Sequence, residues 1–507
     1  MSLTAPLAIA NGEIGNINAQ FSLIGNNIAN AATPGYAAES VSQVAADAGG
    51  TGIGARLGTV GRSVDAVLQS DLFVQNGSVA ALQAQATALQ PIDAAEGAPG
   101  SGSDIASLLG NLGDQFAALL TDPGSATQQG AVVTAAATLA QQVNAVSDAV
   151  GSARQSAQNA VVGDVAKLNT TLATIGSLSR QIVVAQAAGQ STADLSNQRD
   201  AALGTLSSIV SVNVIHQPNG DVLLATPGGL VLPTDGTAFA TSDATIGAAS
   251  DTTNGGVPAI TLGGHDVTQQ LQGGDLGAQI TLRDSTLPTL QANLDEFAAT
   301  LSSRFAAQGL TLFTDAAGNL PVGGGTPVQA GYLGYASEMQ VNPAVSADPS
   351  LVRDGTNAVA GSPTGASVFT PNPAGGPAGF NTLITRVLDF AMGSQAQPGV
   401  AQSPPATTGL GSSGTLSAGF AAPADLATQA TDVVAQEAAT SSAVSSQLAD
   451  AQGVQTTLQG KLSAGSAINI DAEMSTMIQL QNAYEANARV MTGVQAMWTQ
   501  LMQSVAP

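Results

Sequence analysis

A chain that performs chemistry needs nucleophiles, acids, bases or metal ligands at workable spacing, and this sequence offers few. Its two histidines, His216 and His265, stand in turn-rich, alternating surroundings with no nucleophile pattern nearby, so a surface or turn role suits them better than proton transfer. Cysteine is absent, which removes thiolate metal sites and thiol nucleophiles. The carboxylate pairs Asp47/Asp65 and Asp221/Asp235 lack a spacing that would put both groups on one face with a metal partner. Gly49-Gly50-Thr51-Gly52-Ile53-Gly54 has neither a preceding strand nor a following Lys-Ser/Thr, so it does not read as a phosphate loop. No Gly-x-Ser-x-Gly stands on a strand-to-helix turn. The sequence therefore predicts no enzyme, no cofactor and no bound metal.

What the residue types do favour is packing. Of the 507 residues 44% are hydrophobic but only 3% aromatic and 9% charged, and small apolar side chains at helical spacing suit long, close-packed helices. The length implies two to four domains. A formal net charge of −23 repels phosphate backbones and anionic lipid, which argues against nucleic acid and against docking on a membrane. No run of eighteen apolar residues occurs, so no membrane insertion is expected. The first basic residue is Arg56, so a cleavable secretory signal is not expected either, and ordinary routes would leave the protein in the cytosol.

The elements that must carry this packing begin and end the chain. Leu3, Leu7, Ala10, Ile14, Ile17, Phe21, Ile24 and Ile28 alternate steps of four and three, the seam of a helix of about 42 Å that packs on another helix. Met477, Leu480, Tyr484, Asn487, Met491, Val494, Trp498 and Leu501 repeat the pattern at the other end. The N-terminal helix alone would be marginal. Spacing leaves two readings open: one intramolecular coiled coil, or apolar faces shared with copies and neighbours. Uncharged amides such as Asn16, Gln20, Gln481 and Asn487 on the flanks avoid the desolvation cost of buried charge and suit contact on several sides.

Between the seams the pattern changes several times. A turn at Thr33-Pro34-Gly35-Tyr36, with proline fixing φ and glycine free to invert it, leads into an irregular Gly/Ala-rich stretch to about Arg62. The longest helical pattern spans 126–188 through Leu139, Val143, Val146, Val150, Ala153, Ala157, Val161, Val165, Leu168, Leu172, Ile175, Leu178 and Ile182. Ser191-Thr192-Ala193-Asp194 resembles a capping box. At Ile209 the period becomes two, with a hairpin around Asn219-Gly220 and strand-like pieces as far as Ile280. Asn469 should cap the last helix. The expected fold is mainly α with β insertions: a terminal two-helix coiled coil, a long helical bundle domain, and one or two small β-rich outer domains. The boundaries read 1–60 for the N-terminal helix and turn, 61–208 for the bundle, and 209–285 for a β-rich segment. A core helix follows at 286–310, then a Gly/Pro-rich outer β or flexible domain at 311–422, then the C-terminal helices at 423–507.

Asn26-Asn27-Ile28-Ala29-Asn30-Ala31-Ala32-Thr33-Pro34-Gly35-Tyr36 resembles the signature of bacterial flagellar axial proteins. The stretch from Asn469 to Val490 is similar to their closing helix. Leu195-Ser196-Asn197-Gln198-Arg199-Asp200, Leu282-Arg283-Asp284-Ser285-Thr286-Leu287-Pro288 and the long helical region narrow the resemblance to the hook-associated family. The usual polar run after Pro-Gly-Tyr is replaced here by Ala37-Ala38-Glu39. The resemblance implies a structural subunit at the hook-filament junction, secreted by type III export to the extracellular flagellum. Its implied partners are copies of itself in a ring, the hook protein and a second junction protein as axial neighbours, and an export chaperone. The subunit-packing residues would be Leu3, Leu7, Ile14, Ile17, Phe21, Ile24, Ile28, Met477, Leu480, Tyr484, Met491, Val494, Trp498 and Leu501. The motif turn would be Asn26, Asn27, Asn30, Thr33, Pro34, Gly35 and Tyr36. The rivals are a hook or distal rod protein and, of another class, an extracellular coiled-coil adhesin or hydrolase.

Overall fold

The computed structural model describes residues 4–31, 33, 36–48, 51–323, 325–466 and 468–505. Leu3, Pro34 and Gly35, and with the last two the predicted turn, lie outside them.

A single helix of 62 residues, Ala126–Ala187, is the axis of the body, about 93 Å long. Asp122-Pro123-Gly124 stops the preceding helix, Ile105–Thr121, and Ser125 caps the new one by accepting from the Gln128 N–H at 3.3 Å. All thirteen seam positions from Leu139 to Ile182 are buried. The seam serves two cores in turn. Up to Ala157 it packs with Ile105, Leu109, Phe116 and the Leu287–Ala307 helix; from Val161 it packs with Leu203, Leu206, Val222 and Leu224. The run of four-residue steps around Val161 marks the changeover.

In chain order, helix α1 is Thr4–Ala29 and strands β1 and β2 are Glu39–Ala48 and Thr51–Arg62. Helices α2 (Ala66–Glu96), α3 (Ile105–Thr121), α4 (Ala126–Ala187) and α5 (Ala193–Ile209) build the body. Strands β3 (Asn213–His216) and β4 (Val222–Ala225) form the expected hairpin, with His216 paired to Val222. Helix α6 (Gly274–Thr281) turns through a wide π-type coil at Leu282–Thr286 into α7 (Leu287–Ala307). The chain closes with α8 (Leu426–Ser466) and α9 (Ile470–Val505).

Four expectations need correction. The stretch after the N-terminal turn is not irregular: β1 and β2 pair antiparallel from Glu39↔Arg62 to Ala48↔Thr51. Glycine and alanine hid the alternation, and a bulge puts Gly54 at φ +122°, with Ile9 only 3.6 Å from where a Cβ would stand. The strand-like run does not reach Ile280, because 274–281 is helical. There Gly274, at φ +63°, brings the chain so close to the Ile209 carbonyl that a Cβ would sit 2.5 Å from it, an approach open only to glycine. The capping box before α5 is not formed: Thr192 makes no side-chain cap bond. Finally, 311–422 is neither a separate β domain nor loose. It holds short helices and two-stranded ladders, and Tyr332, Tyr335, Phe369, Leu383, Ile384 and Val387 enter the same core as α4 and α7.

Two buried arginines explain why that interior tolerates polar groups. Arg283 is completely buried and forks onto Asp284 at 2.6 and 2.9 Å, with Nη1 donating to Gln158 Oε1 at 2.8 Å. Arg154 donates to the carbonyls of Arg283, Gly247 and Ser250. Planar guanidinium groups satisfied in this way fix loop positions that apolar packing cannot specify.

Candidate functional site

No catalytic grouping assembles from the sequence candidates. His216 and His265 are exposed on short strands, and no cluster among the described residues could hold a metal ion. The residues that come together from far apart in sequence are those of the chain ends.

Asn27 is the centre of this joint. It is fully buried on α1. Its Nδ2 donates to the Glu39 carbonyl and to Glu473 Oε1, both at 2.9 Å, while its Oδ1 accepts from the Glu39 N–H at 3.0 Å and from the Tyr36 hydroxyl at 3.3 Å. One amide thus reads both backbone groups of a residue twelve positions on, and ties α1, the hairpin and α9 together. Asparagine suits this because its side chain offers a donor and an acceptor side by side, as a peptide does. Glu473 lies in the first turn of α9, whose cap is Asn469, accepting from the Ala472 N–H at 3.1 Å. Since the end of α1 meets the start of α9, the two helices run antiparallel.

Below Asn27 the apolar contact is small. Ile17, Ile24 and Leu480 are buried, with Phe21, Ile28, Met477 and Ala483 against them. The first buried residue of α1 is Ala10 and the last of α9 is Val494. Leu7, Ile14 and Met491 are half-buried. The seam read from the sequence is therefore only partly internal. Tyr484 sits on its flank, with Ala483 taking the inward place, and Trp498 and Leu501 follow the last buried residue and are exposed. With Ile470, Met474, Ile478, Val490, Met497 and Met502 they are all 40–60% exposed.

Sequence spacing did not disclose how the joint is fixed to the body. Arg62, at the end of β2, donates to Asn197 Oδ1 at 2.9 Å and to Asp200 Oδ2 at 2.7 Å, both on α5. Asn16 Nδ2 donates to the Ala55 carbonyl at 2.8 Å, and Ser63 Oγ donates to the Gly465 carbonyl at 3.2 Å. The Leu195–Asp200 motif is thus a receptor for the hairpin, with Arg199 turned the other way onto the Gly220 carbonyl at 2.6 Å. The available signal was Arg62 itself, one of only twelve basic residues, directly after a Gly-rich stretch. Around this joint, burial first and then the charges of Glu39, Asp194 and Glu473 push the Tyr36 hydroxyl up to about 12. Burial, reinforced by Asp194 and opposed by Arg62, raises the Glu39 carboxyl above the ordinary range. The remaining turn residues are local: Asn30 Nδ2 bonds the Asn26 carbonyl at 3.0 Å, and Thr33 Oγ1 bonds Asn30 Oδ1 at 3.3 Å.

The structure therefore presents paired antiparallel chain ends, pinned by an Asn-Asn-Ile motif to a long helical body. Residues 458–504 match the family model described as flagellar basal body rod FlgEFG protein C-terminal. Residues 96–320 match the model described as flagellar hook-associated protein FlgK helical domain. A curated relative, flagellar hook-associated protein 1 of Bacillus subtilis (strain 168), is 26% identical over 223 residues, covering 42% of this chain. This chain spans only 44% of that relative's length. The solved flagellar hook junction protein FlgK from Burkholderia pseudomallei aligns with 50% of this chain and 45% of its own, at 25% identity and a TM-score of 0.41. Residues 96–320 are thus similar to the flagellar hook-associated protein family, and residues 458–504 to the C-terminal segment of flagellar rod proteins.

Proposed function

We propose that this protein is a non-enzymatic structural subunit joining hook to filament. In this reading α1 and α9 bury their remaining apolar faces against copies of the chain in a ring and against axial neighbours, the hook protein and a second junction protein. The subunit would reach the outside by type III export, accompanied by a chaperone. The observation that carries the reading is the apolar surface left open around α9. Nine large residues from Ile470 to Met502, on several sides of a helix that already has a partner, stay 40–60% exposed, and that much exposed apolar surface marks an interaction element. A hook or distal rod protein draws support from the match at 458–504 alone, whereas the helical match at 96–320 favours the junction. The test uses the full chain with isolated hooks. Wild type should bind and cap them, and Ile478→Asp and Trp498→Asp should not, while their melting stays that of wild type. Capping by either variant refutes the reading, and hydrolytic activity in a substrate screen would favour the enzyme rival.

A further inference from the structure

Helix α8 is held on α2 by few large side chains. Val433, Val434, Val444 and Ala451 are buried, Gln75 Nε2 donates to the Ala451 carbonyl at 2.7 Å, and Gln455 Nε2 donates to Asn76 Oδ1 at 2.8 Å. Among these contacts lies a group of acids from three elements: Asp93 and Glu96 in the last turn of α2, Asp104 capping α3, and Glu437 on α8. Glu96, Asp104 and Glu437 are 2%, 1% and 7% exposed.

The four do not share one state. Burial pushes Asp104 up, but hydrogen bonds from Ser107 and Gly100 outweigh it and hold this carboxylate below its usual range. Glu96 accepts from the Ile105 N–H at 3.2 Å, and burial lifts it to about 7. Glu437 is different. Its Oε1 is buried and finds no donor, and it stands one turn before Ser441, whose Oγ donates to Asp93 Oδ2, so the Glu437 and Asp93 carboxyls come close to each other. Two ionised carboxylates are acceptors only, so a bond between these two would require a proton. Burial first, then the Asp93 bond and the charges of Asp93 and Glu96, lift Glu437 to about 9.

Among the described residues, no cation from the helices packed on α8 pairs with the group. Arg304 of α7 spends its guanidinium on the carbonyls of Gly393, Ser403 and Ala424, and Ala424 lies before the start of α8, from which Glu437 is about 16 Å of helix away. On α7, Asp295 accepts from the Gly334 and Ala336 N–H groups and Glu296 from Tyr332 and Ala406. Asp114 of α3 is exposed and Asp432 of α8 is half-buried.

We propose that Glu437 and Asp93 hold one proton between them and that this proton latches α8 onto α2 and α3. With the proton, the two carboxyls bond. Without it, two like charges face each other in a largely dry contact with no counterion, and α8 loosens. The latch lies between the body and α9, the helix that follows α8 directly, and it does not depend on the assembly reading above. The native state holds a proton that the unfolded chain releases near 4.5, so docking is strongest below that pH and weakens as pH rises toward about 9.

Hydrogen exchange of the full chain, corrected for intrinsic rates, provides the test. Protection of residues 430–445 should fall at least about tenfold from pH 6 to pH 9, while the middle of α4 stays constant. Glu437→Gln can donate to Asp93 without a bound proton, so its protection should fall much less than that of wild type over that range, the residual slope coming from Glu96, and be higher than wild type at pH 9. Asp93→Asn, donating in the opposite sense, carries the same expectation should the first variant not fold. A flat wild-type profile, or a variant with the wild-type slope, overturns the latch.

Discussion

The α4 seam and the α1/α9 seams are written in the same alphabet, steps of three and four with an apolar residue at each, yet they end in opposite conditions. Along α4 every one of thirteen seam residues from Leu139 to Ile182 is buried, because α3, α5, α7 and the β3–β4 hairpin all reach it within one molecule. Along α9 only Leu480 and Val494 are buried, and large side chains on either side of them remain open. Periodicity therefore tells which face is apolar, and only the number of covering elements tells whether that face is satisfied. The terminal pair makes up the difference with a polar device. Asn27 concentrates four hydrogen bonds at one point, which fixes geometry where apolar area is too small to do so.

The contrast can be broken most severely in α4. Leu168→Ala removes a fully buried side chain and should destabilise the body by about 2–5 kcal/mol, read as a lowered denaturant midpoint; Leu480→Ala should move that midpoint far less. An equal loss from both would mean that the ends belong to the same cooperative unit as the body. Next in size, Asn27→Ala should cost the joint about 1–3 kcal/mol by leaving the Glu39 backbone unpaired. Limited proteolysis should then release the first 62 residues and the last 40 or so faster than in wild type, with the body's melting unchanged. The same protease resistance in the variant would show that Asn27 does not hold the ends. The smallest effect is expected at Met474→Ser and Met502→Ser on exposed positions of α9, within about 0.5 kcal/mol of wild type for the monomer. A clear drop in monomer melting would show that this face is already covered.

Much of the helical plan was legible. The 126–188 pattern became α4 with its ends in place, Asn469 caps α9, and the period-two signal at Ile209 became β3 and β4. Legibility failed where side chains carry no period. Glycine and alanine in 39–62 left no alternation to read, although backbone pairing there is extensive. The short pieces of 311–422 are too brief to show a repeat, and their apolar residues are recruited one at a time into a core whose other side is hundreds of residues away. At the joint, the Asn26–Tyr36 motif and the Leu195–Asp200 motif were both visible as residues, but nothing local told that Arg62 would connect the hairpin to the second of them.

The sequence by itself determined the helices, their apolar faces and the low yield of reactive groups, because each of these depends on residue type and near-neighbour spacing. The tertiary structure alone decided which seams are closed and which stay open, that Asn27 and Arg62 are the fixings of the chain ends, and that Glu437 meets Asp93 across 344 residues. Those outcomes depend on which surfaces arrive at the same place, and burial, desolvation and proton sharing exist only once they do.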